Sequence, residues 1–202
     1  MTAAQGYGSS EDEALVSLCK KGDTDAFEEL VRRHQKKMLN TAYRMTANYE
    51  DACEIVQDAF VAAYKALPRF EERSRFSTWL YTIVLNQTRN HLKKGSTAGQ
   101  RREFSLDEPM TTEDGFIRPE PASSGPSVLE TLEQREVQAQ VQKCISGLDA
   151  DFREVLVLRD IQGFAYDEIC SLLSLADGTV KSRLFRARES VKNCLKKLLG
   201  RR

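Results

Sequence analysis

The chain has 202 residues, 41% of them apolar, with 30 basic and 30 acidic side chains and a formal net charge of zero. That length suits one domain or two small ones. No apolar run approaches the ~20 residues of a bilayer span and no signal peptide precedes the first polar segment, so composition points away from a membrane protein. Five cysteines, Cys19, Cys53, Cys144, Cys170 and Cys194, lie far apart without a CxxC pair, which argues against a disulfide framework or a zinc site and suits a reducing cytoplasm.

Taken in chain order, residues 1–9 are small and polar and predict disorder. Ser10 with Glu13 has capping-box spacing and starts a helix carrying Leu15, Leu18 and Cys19, which Gly22 ends. Asp23 or Asp25 starts a second, with Phe27, Leu30, Val31, His34, Met38 and Leu39 at helical spacing. A third runs from about Tyr49 to Leu67 with Ile55, Val56, Ala59, Phe60 and Ala63 on one side, and Pro68 stops it. The fourth contains "RFSTWLYTIVLNQTRN", Arg75 to Asn90. From Gly95 to about Ser127 periodicity gives way to Pro109, Pro119, Pro121 and Pro126 among Gly, Ser, Thr and acids, a composition too polar to pack. Helical periodicity resumes near Val128 and breaks near Gly147, Gly163 and Leu175–Gly178. No segment alternates with a strand period for long. The expected fold is all-α: one helical bundle over 10–95, a long flexible acidic linker over 96–127, and a second helical domain over 128–202.

The zero net charge hides segregation. Residues 1–68 carry 8 basic and 11 acidic side chains, 69–102 carry 8 and 2, 103–136 carry 2 and 9, and 137–202 carry 12 and 8. Two basic zones separated by an acidic one suggest two contacts with a polyanion; solvated helix faces would explain any single zone but not the blocks. In the second zone, "YDEICSLLSLADGTVKSRLFRARESV" (Tyr166 to Val191) places Ile169, Cys170 and Leu173 on the inner face of a short helix and Val180 and Leu184 on that of the next. This is helix-turn-helix spacing, with a small residue at Cys170 where the helices cross. Thr179, Lys181, Ser182, Arg183, Phe185, Arg186 and Arg188 are left largely outside. Residues 178–202 hold nine basic side chains and one acid, Glu189. Such a helix can enter a major groove, with Arg or Lys on guanine edges, Ser182 and Thr179 on phosphates and Phe185 on a thymine methyl; the bland alternative is a helical hairpin with a solvated basic face.

On a wheel at ~100° per residue, Phe76, Leu80, Ile83 and Val84 form one side of the fourth helix, and Thr82, Asn86, Arg89, Asn90 and Lys93 an adjacent polar stripe, with Trp79 at the border as a packing residue. Asn can read a base edge and Arg and Lys neutralise phosphate. The loop before it, Phe70, Glu71, Glu72, Arg73, Ser74 and Arg75, puts an aromatic among charges, a composition able to cradle an unstacked base.

The first bundle with "RFSTWLYTIVLNQTRN" and the second domain with "GTVKSRLFRARE", in this order, resemble the bacterial extracytoplasmic-function class of sigma factors; the resemblance covers roughly residues 10–95 and 130–195. It implies an alternative sigma factor that binds core RNA polymerase, directs it to specific promoters and assists melting. Within "DACEIVQDAFVAAYKAL" (Asp51 to Leu67), it implies that Asp51, Ile55, Gln57, Asp58 and Val61 dock on the clamp helices of the polymerase's largest subunit. Phe70 to Phe76 match the loop that captures a flipped base of the minus-ten element, with Asn86, Arg89, Asn90 and Lys93 alongside. Thr179, Lys181, Ser182, Arg183, Phe185, Arg186 and Arg188 match the helix that reads the minus-thirty-five element. It further implies an anti-sigma protein as a partner, cytoplasmic localisation with membrane retention only through that partner, and no cofactor or metal. An enzyme is not expected: "GYGSS" lacks the third glycine of a dinucleotide loop, there is no P-loop, and His34 and His91, read as surface or packing residues, have no nucleophile or metal partner nearby in sequence. The competing reading is a conventional helix-turn-helix regulator that binds duplex DNA without being a polymerase subunit.

Overall fold

A computed structural model describes residues 9–97 and 128–200. The expected disorder of residues 1–8 and the linker from residue 98 to 127 lie outside the described residues. The elements are α1 (Ser9–Lys20), α2 (Thr24–Thr46), α3 (Tyr49–Ala66), a 3-10 turn (Leu67–Arg69), α4 (Phe76–Thr97), α5 (Val128–Ser146), α6 (Ala150–Leu156) running into a π-helical turn (Val157–Ile161), α7 (Tyr166–Leu173) and α8 (Asp177–Leu199). The fold is all-α, with no strand among the described residues.

The boundaries have local causes. Gly22 takes a left-handed φ of 96° after α1, and Asp23 caps α2 by accepting from the amides of Asp25 at 3.0 Å and Ala26 at 3.1 Å. Asn48 caps α3 through the Asp51 amide at 3.1 Å. Pro68 stands inside the 3-10 turn that ends α3, where its missing N–H costs nothing. Two boundaries differ from expectation. α4 continues to Thr97, two residues into the expected linker, and α8 begins at Asp177, so Gly178 lies in its first turn rather than in the break.

In the first bundle α2 packs against α3 and α4, and α1 closes the side. Ala52, Ala59 and Ala63 are fully buried along one stripe of α3, which lets its backbone approach its neighbours, while Leu30, Met38, Leu80 and Val84 fill the centre. His34 is buried, with its Nε2 2.8 Å from Asp12 Oδ2, so it is a packing residue with a polar partner. The second domain surrounds Val155, Leu158, Ile169, Val180 and Leu184, all buried.

One expectation needs correction. The cysteines are not all unpaired: Cys144 on α5 and Cys194 on α8 form a disulfide, their Cα atoms 5.7 Å apart, while Cys19, Cys53 and Cys170 are free. Folding brings together residues 50 apart in sequence, and no local spacing signals such a pair. The two helical domains are in contact. Arg44 on α2 donates to Gln142 Oε1 on α5 at 2.8 Å, Arg153 on α6 donates to the Met45 carbonyl, and Tyr81 on α4 donates to Gln162 Oε1 at 2.9 Å while its ring meets Phe164 edge-on at 4.8 Å. Burial in this seam pushes the Tyr81 phenol up to about 12, the Thr41 contact opposing it.

Candidate nucleic-acid interface

The loop ahead of α4 is shaped from beneath. Phe70 closes the 3-10 turn through its amide to the Leu67 carbonyl at 3.0 Å. Its ring is buried, stacked on Trp79 with centroids 4.6 Å apart and edge-on to Phe76 at 6.3 Å. This corrects the expectation that Phe70 and Phe76 face a base: with exposures of 8% and 3%, they are the floor of the loop, not its contact surface. What the loop offers outward is Glu71, Glu72, Arg73, Ser74 and Arg75, all exposed. Glu71 and Arg73 pair at 2.7 Å, and Glu72 adopts a left-handed φ of 57°.

Along α4 the wheel is realised: Phe76, Leu80, Tyr81 and Val84 are buried, and Ile83 and Trp79 half-buried. Asn86, Asn90 and Lys93 are exposed. Arg89 is the member of the stripe that turns away, donating to Glu154 Oε2 of α6 at 2.8 Å and, at 3.4 Å, to Asn86 Oδ1. Glu154 is buried and its Oε1 has no partner among the described residues. Burial raises its carboxyl above the ordinary glutamate value, against the hydrogen bond and charge of Arg89.

On α3, Gln57, Asp58 and Val61 are exposed and Asp51 is half-buried, 3.4 Å from His91 Nε2. Ile55 is only 3% exposed, which corrects its place among surface-docking residues: it is core. Tyr64, 48% exposed beside Val61, belongs to the same outward face and was not singled out in the sequence. Its spacing of three from Val61 is the signal that marks it.

The outer face of α8 carries Phe185, 68% exposed, with Ser182 and Arg186. Three other basic side chains are already engaged. Lys181 pairs with Asp177 at 2.7 Å, Arg183 with Asp151 at 2.6 Å, and Arg188 with Asp160 through bonds of 2.6 and 2.9 Å. Hydrogen bonds to their carboxylate partners raise Lys181 and Arg188 above their ordinary values. Ser182 Oγ donates to the Thr179 carbonyl at 3.0 Å. Asp149, Asp151, Thr179, Ser182, Arg183 and Arg186 line an open cleft of about 560 Å³ between α6 and α8. The acidic rim was not anticipated, because Asp149 and Asp151 lie some thirty residues from α8 in sequence.

Residues 30–97 match the sigma-70 region 2 family model and residues 138–191 the sigma-70 region 4 model. The chain is 36% identical over 196 residues to the RNA polymerase sigma-H factor of Pseudomonas aeruginosa, an alignment covering 94% of this chain and 96% of that one. It belongs to the extracytoplasmic-function (ECF) class of the sigma-70 family. The sigma factor is also 35% identical over 190 residues to the ECF RNA polymerase sigma-E factor of Escherichia coli K12, covering 94% and 97% of the two chains. Among solved structures it resembles CnrH in complex with the cytosolic domain of CnrY, with a TM-score of 0.66, 27% identity and coverage of 93% and 98%. It also resembles RpoE of Bartonella quintana in complex with the anti-sigma factor NepR, with a TM-score of 0.61, 25% identity and coverage of 84% and 96%. The chain is thus an alternative sigma factor that directs RNA polymerase to promoters, and a free-standing helix-turn-helix regulator is not favoured. Its relatives are sigma factors, which are not enzymes. Among the described residues no helix is long and apolar enough to cross a membrane.

Proposed function

We propose that the sigma factor divides promoter recognition between α8 and the loop–α4 unit, and polymerase docking to α3. The outer face of α8, with Arg186, Phe185 and Ser182, reads duplex at the minus-thirty-five element, while Lys181, Arg183 and Arg188 exchange their carboxylate partners for phosphate. The loop Glu71–Arg75 with Asn86 and Asn90 receives an unstacked base of the minus-ten element, on a floor of Phe70, Phe76 and Trp79. Gln57, Asp58, Val61 and Tyr64 meet the clamp helices. The units are residues 10–95 and 128–202, joined by the linker over 96–127. The protein performs no catalysis itself, works in the bacterial cytoplasm, and takes an anti-sigma partner of the kind found with the structurally similar factors.

The observation that carries this reading is α4: one side buried in the bundle, the other presenting two exposed asparagines beside an exposed, charged loop. Run-off transcription with purified core polymerase on a random promoter library tests the whole assignment. Enrichment of two separated sequence elements is expected; transcription without any sequence preference would refute it.

A further inference from the structure

Lys20 closes α1, and its side chain crosses 50 residues of sequence to reach the loop ahead of α4. Its Nζ donates to the Phe70 carbonyl at 2.7 Å and to Glu72 Oε1 at 2.5 Å, and lies 5.7 Å from the centroid of the Phe70 ring. One ammonium thus holds three points of a loop whose other side chains, Glu71 and Arg73 to Arg75, are exposed. Two features of the loop make that hold consequential. Glu72 occupies the left-handed region, φ 57°, which a side chain larger than glycine adopts only where its surroundings over-determine it. Phe70 is stacked on Trp79 in the first turn of α4, so the Lys20 bonds link α1, the loop and the start of α4 in one unit. The ion pair contributes little to global stability, because Lys20 and Glu72 keep 27% and 47% of their side-chain surface in water. What it can decide is the shape of the loop, because it bonds both the Phe70 carbonyl and Glu72.

We propose that Lys20 is a positioning residue for promoter opening: from α1, it holds the Phe70–Arg75 loop in the shape that receives the melted strand. Lys20 lies outside residues 30–97, the stretch matched by the region 2 model. The inference rests on reading that loop, with Asn86 and Asn90, as the melted-strand site. Trp79, the single tryptophan of the chain, reports on the loop directly because it stacks on Phe70.

The test is Lys20→Met, which keeps the aliphatic stem and removes the charge, with Lys20→Arg as the conservative control. In the full chain with core polymerase, Lys20→Met is expected to slow open-complex formation by about tenfold, the equivalent of one charge-assisted hydrogen bond. Permanganate reactivity of unpaired thymines is the readout. Trp79 emission should shift, polymerase binding and duplex binding by α8 should stay at wild-type level, and Lys20→Arg should recover most of the rate. Should Lys20→Met also lower the thermal midpoint, the cycle with Glu72→Gln decides: a double variant opening no more slowly than the slower single one supports positioning, and additive losses overturn it. Normal opening by Lys20→Met while Asn86→Ala/Asn90→Ala opens slowly would overturn the role of Lys20 and leave the melted-strand reading standing. Normal opening by both would overturn both.

Discussion

Arg186 and Arg188 sit two positions apart on α8 with different surroundings. Arg188 is forked onto Asp160, whereas Arg186 has no ion pair among the described residues and lines the cleft beside Ser182. A guanidinium without a partner can take a guanine edge without first giving up a bond. Arg186→Ala is therefore expected to weaken specific duplex binding by about 1–3 kcal/mol and to relax preference at one base pair. Arg188→Ala should cost less, since loss of its phosphate contact is partly offset by no longer breaking the Asp160 pair. Binding titrations over a set of single-base operator variants separate the two; equal losses would place both arginines on phosphate. At the same scale, Asn86 and Asn90 are exposed on α4, and Ala is the better helix former, so Asn86→Ala/Asn90→Ala should be no less stable than the wild type. Polymerase binding should be unchanged while open-complex formation falls about tenfold, the sum of two modest hydrogen bonds. A template with a pre-melted bubble should restore the share due to unstacking, and wild-type opening on a closed template would show that the stripe is only solvated surface.

Among the elements, α3 separates folding from docking most cleanly. Its inner stripe of Ala52, Ala59 and Ala63 is fully buried, and Gln57 and Asp58 point out. Asp58→Arg should retain helical circular dichroism and the thermal midpoint yet lose co-purification with core polymerase; retained co-purification would remove α3 from the docking surface. Much of this element was legible beforehand, because amphipathic period and Pro68 are local signals. The misplaced residues share a cause. Ile55 was carried onto the docking face by family likeness although its spacing already put it inside, and Phe70 looked like a loop aromatic because nothing local reveals the Trp79 face it stacks on. The Cys144–Cys194 bridge depends on α5 lying beside α8, which no spacing announces. That bridge closes a loop of about 50 residues, so chain entropy sets its stabilisation at no more than about 4 kcal/mol. Reduction with dithiothreitol should lower the midpoint of the second half and leave the α1–α4 bundle as it was, as amide exchange would show.

At the scale of the molecule, the seam between the halves carries four polar bonds beside the Tyr81–Phe164 ring contact: Arg44 to Gln142, Tyr81 to Gln162, Arg153 to the Met45 carbonyl, and Arg89 to Glu154. Such seams open more readily than apolar ones, and this one holds Arg89 away from the stripe to which the sequence assigns it. Glu154 is its costly member. Its carboxylate is 5% exposed, one oxygen lacks a partner among the described residues, and burial outweighs Arg89 in raising its pKa. A carboxyl raised in the fold favours the folded state most when protonated. Its contribution is complete below the ordinary glutamate range and is lost as pH rises through the raised value. Glu154→Gln keeps the shape without the charge. Near neutral pH the variant should be as stable as the wild type or more so, and its midpoint should not show the fall with rising pH that Glu154 contributes to the wild type. The bond to Arg89 becomes a weaker neutral one, and Arg89, with 36% of its side chain in water, can be rehydrated at small cost. Small-angle scattering should then report a radius of gyration for the variant no larger than that of the wild type at neutral pH. Acidification should bring the wild type toward its most compact form, because protonated Glu154 no longer resists burial. A variant with a larger radius of gyration and a lowered midpoint would show instead that the Arg89–Glu154 pair is a net stabilising bond of the seam.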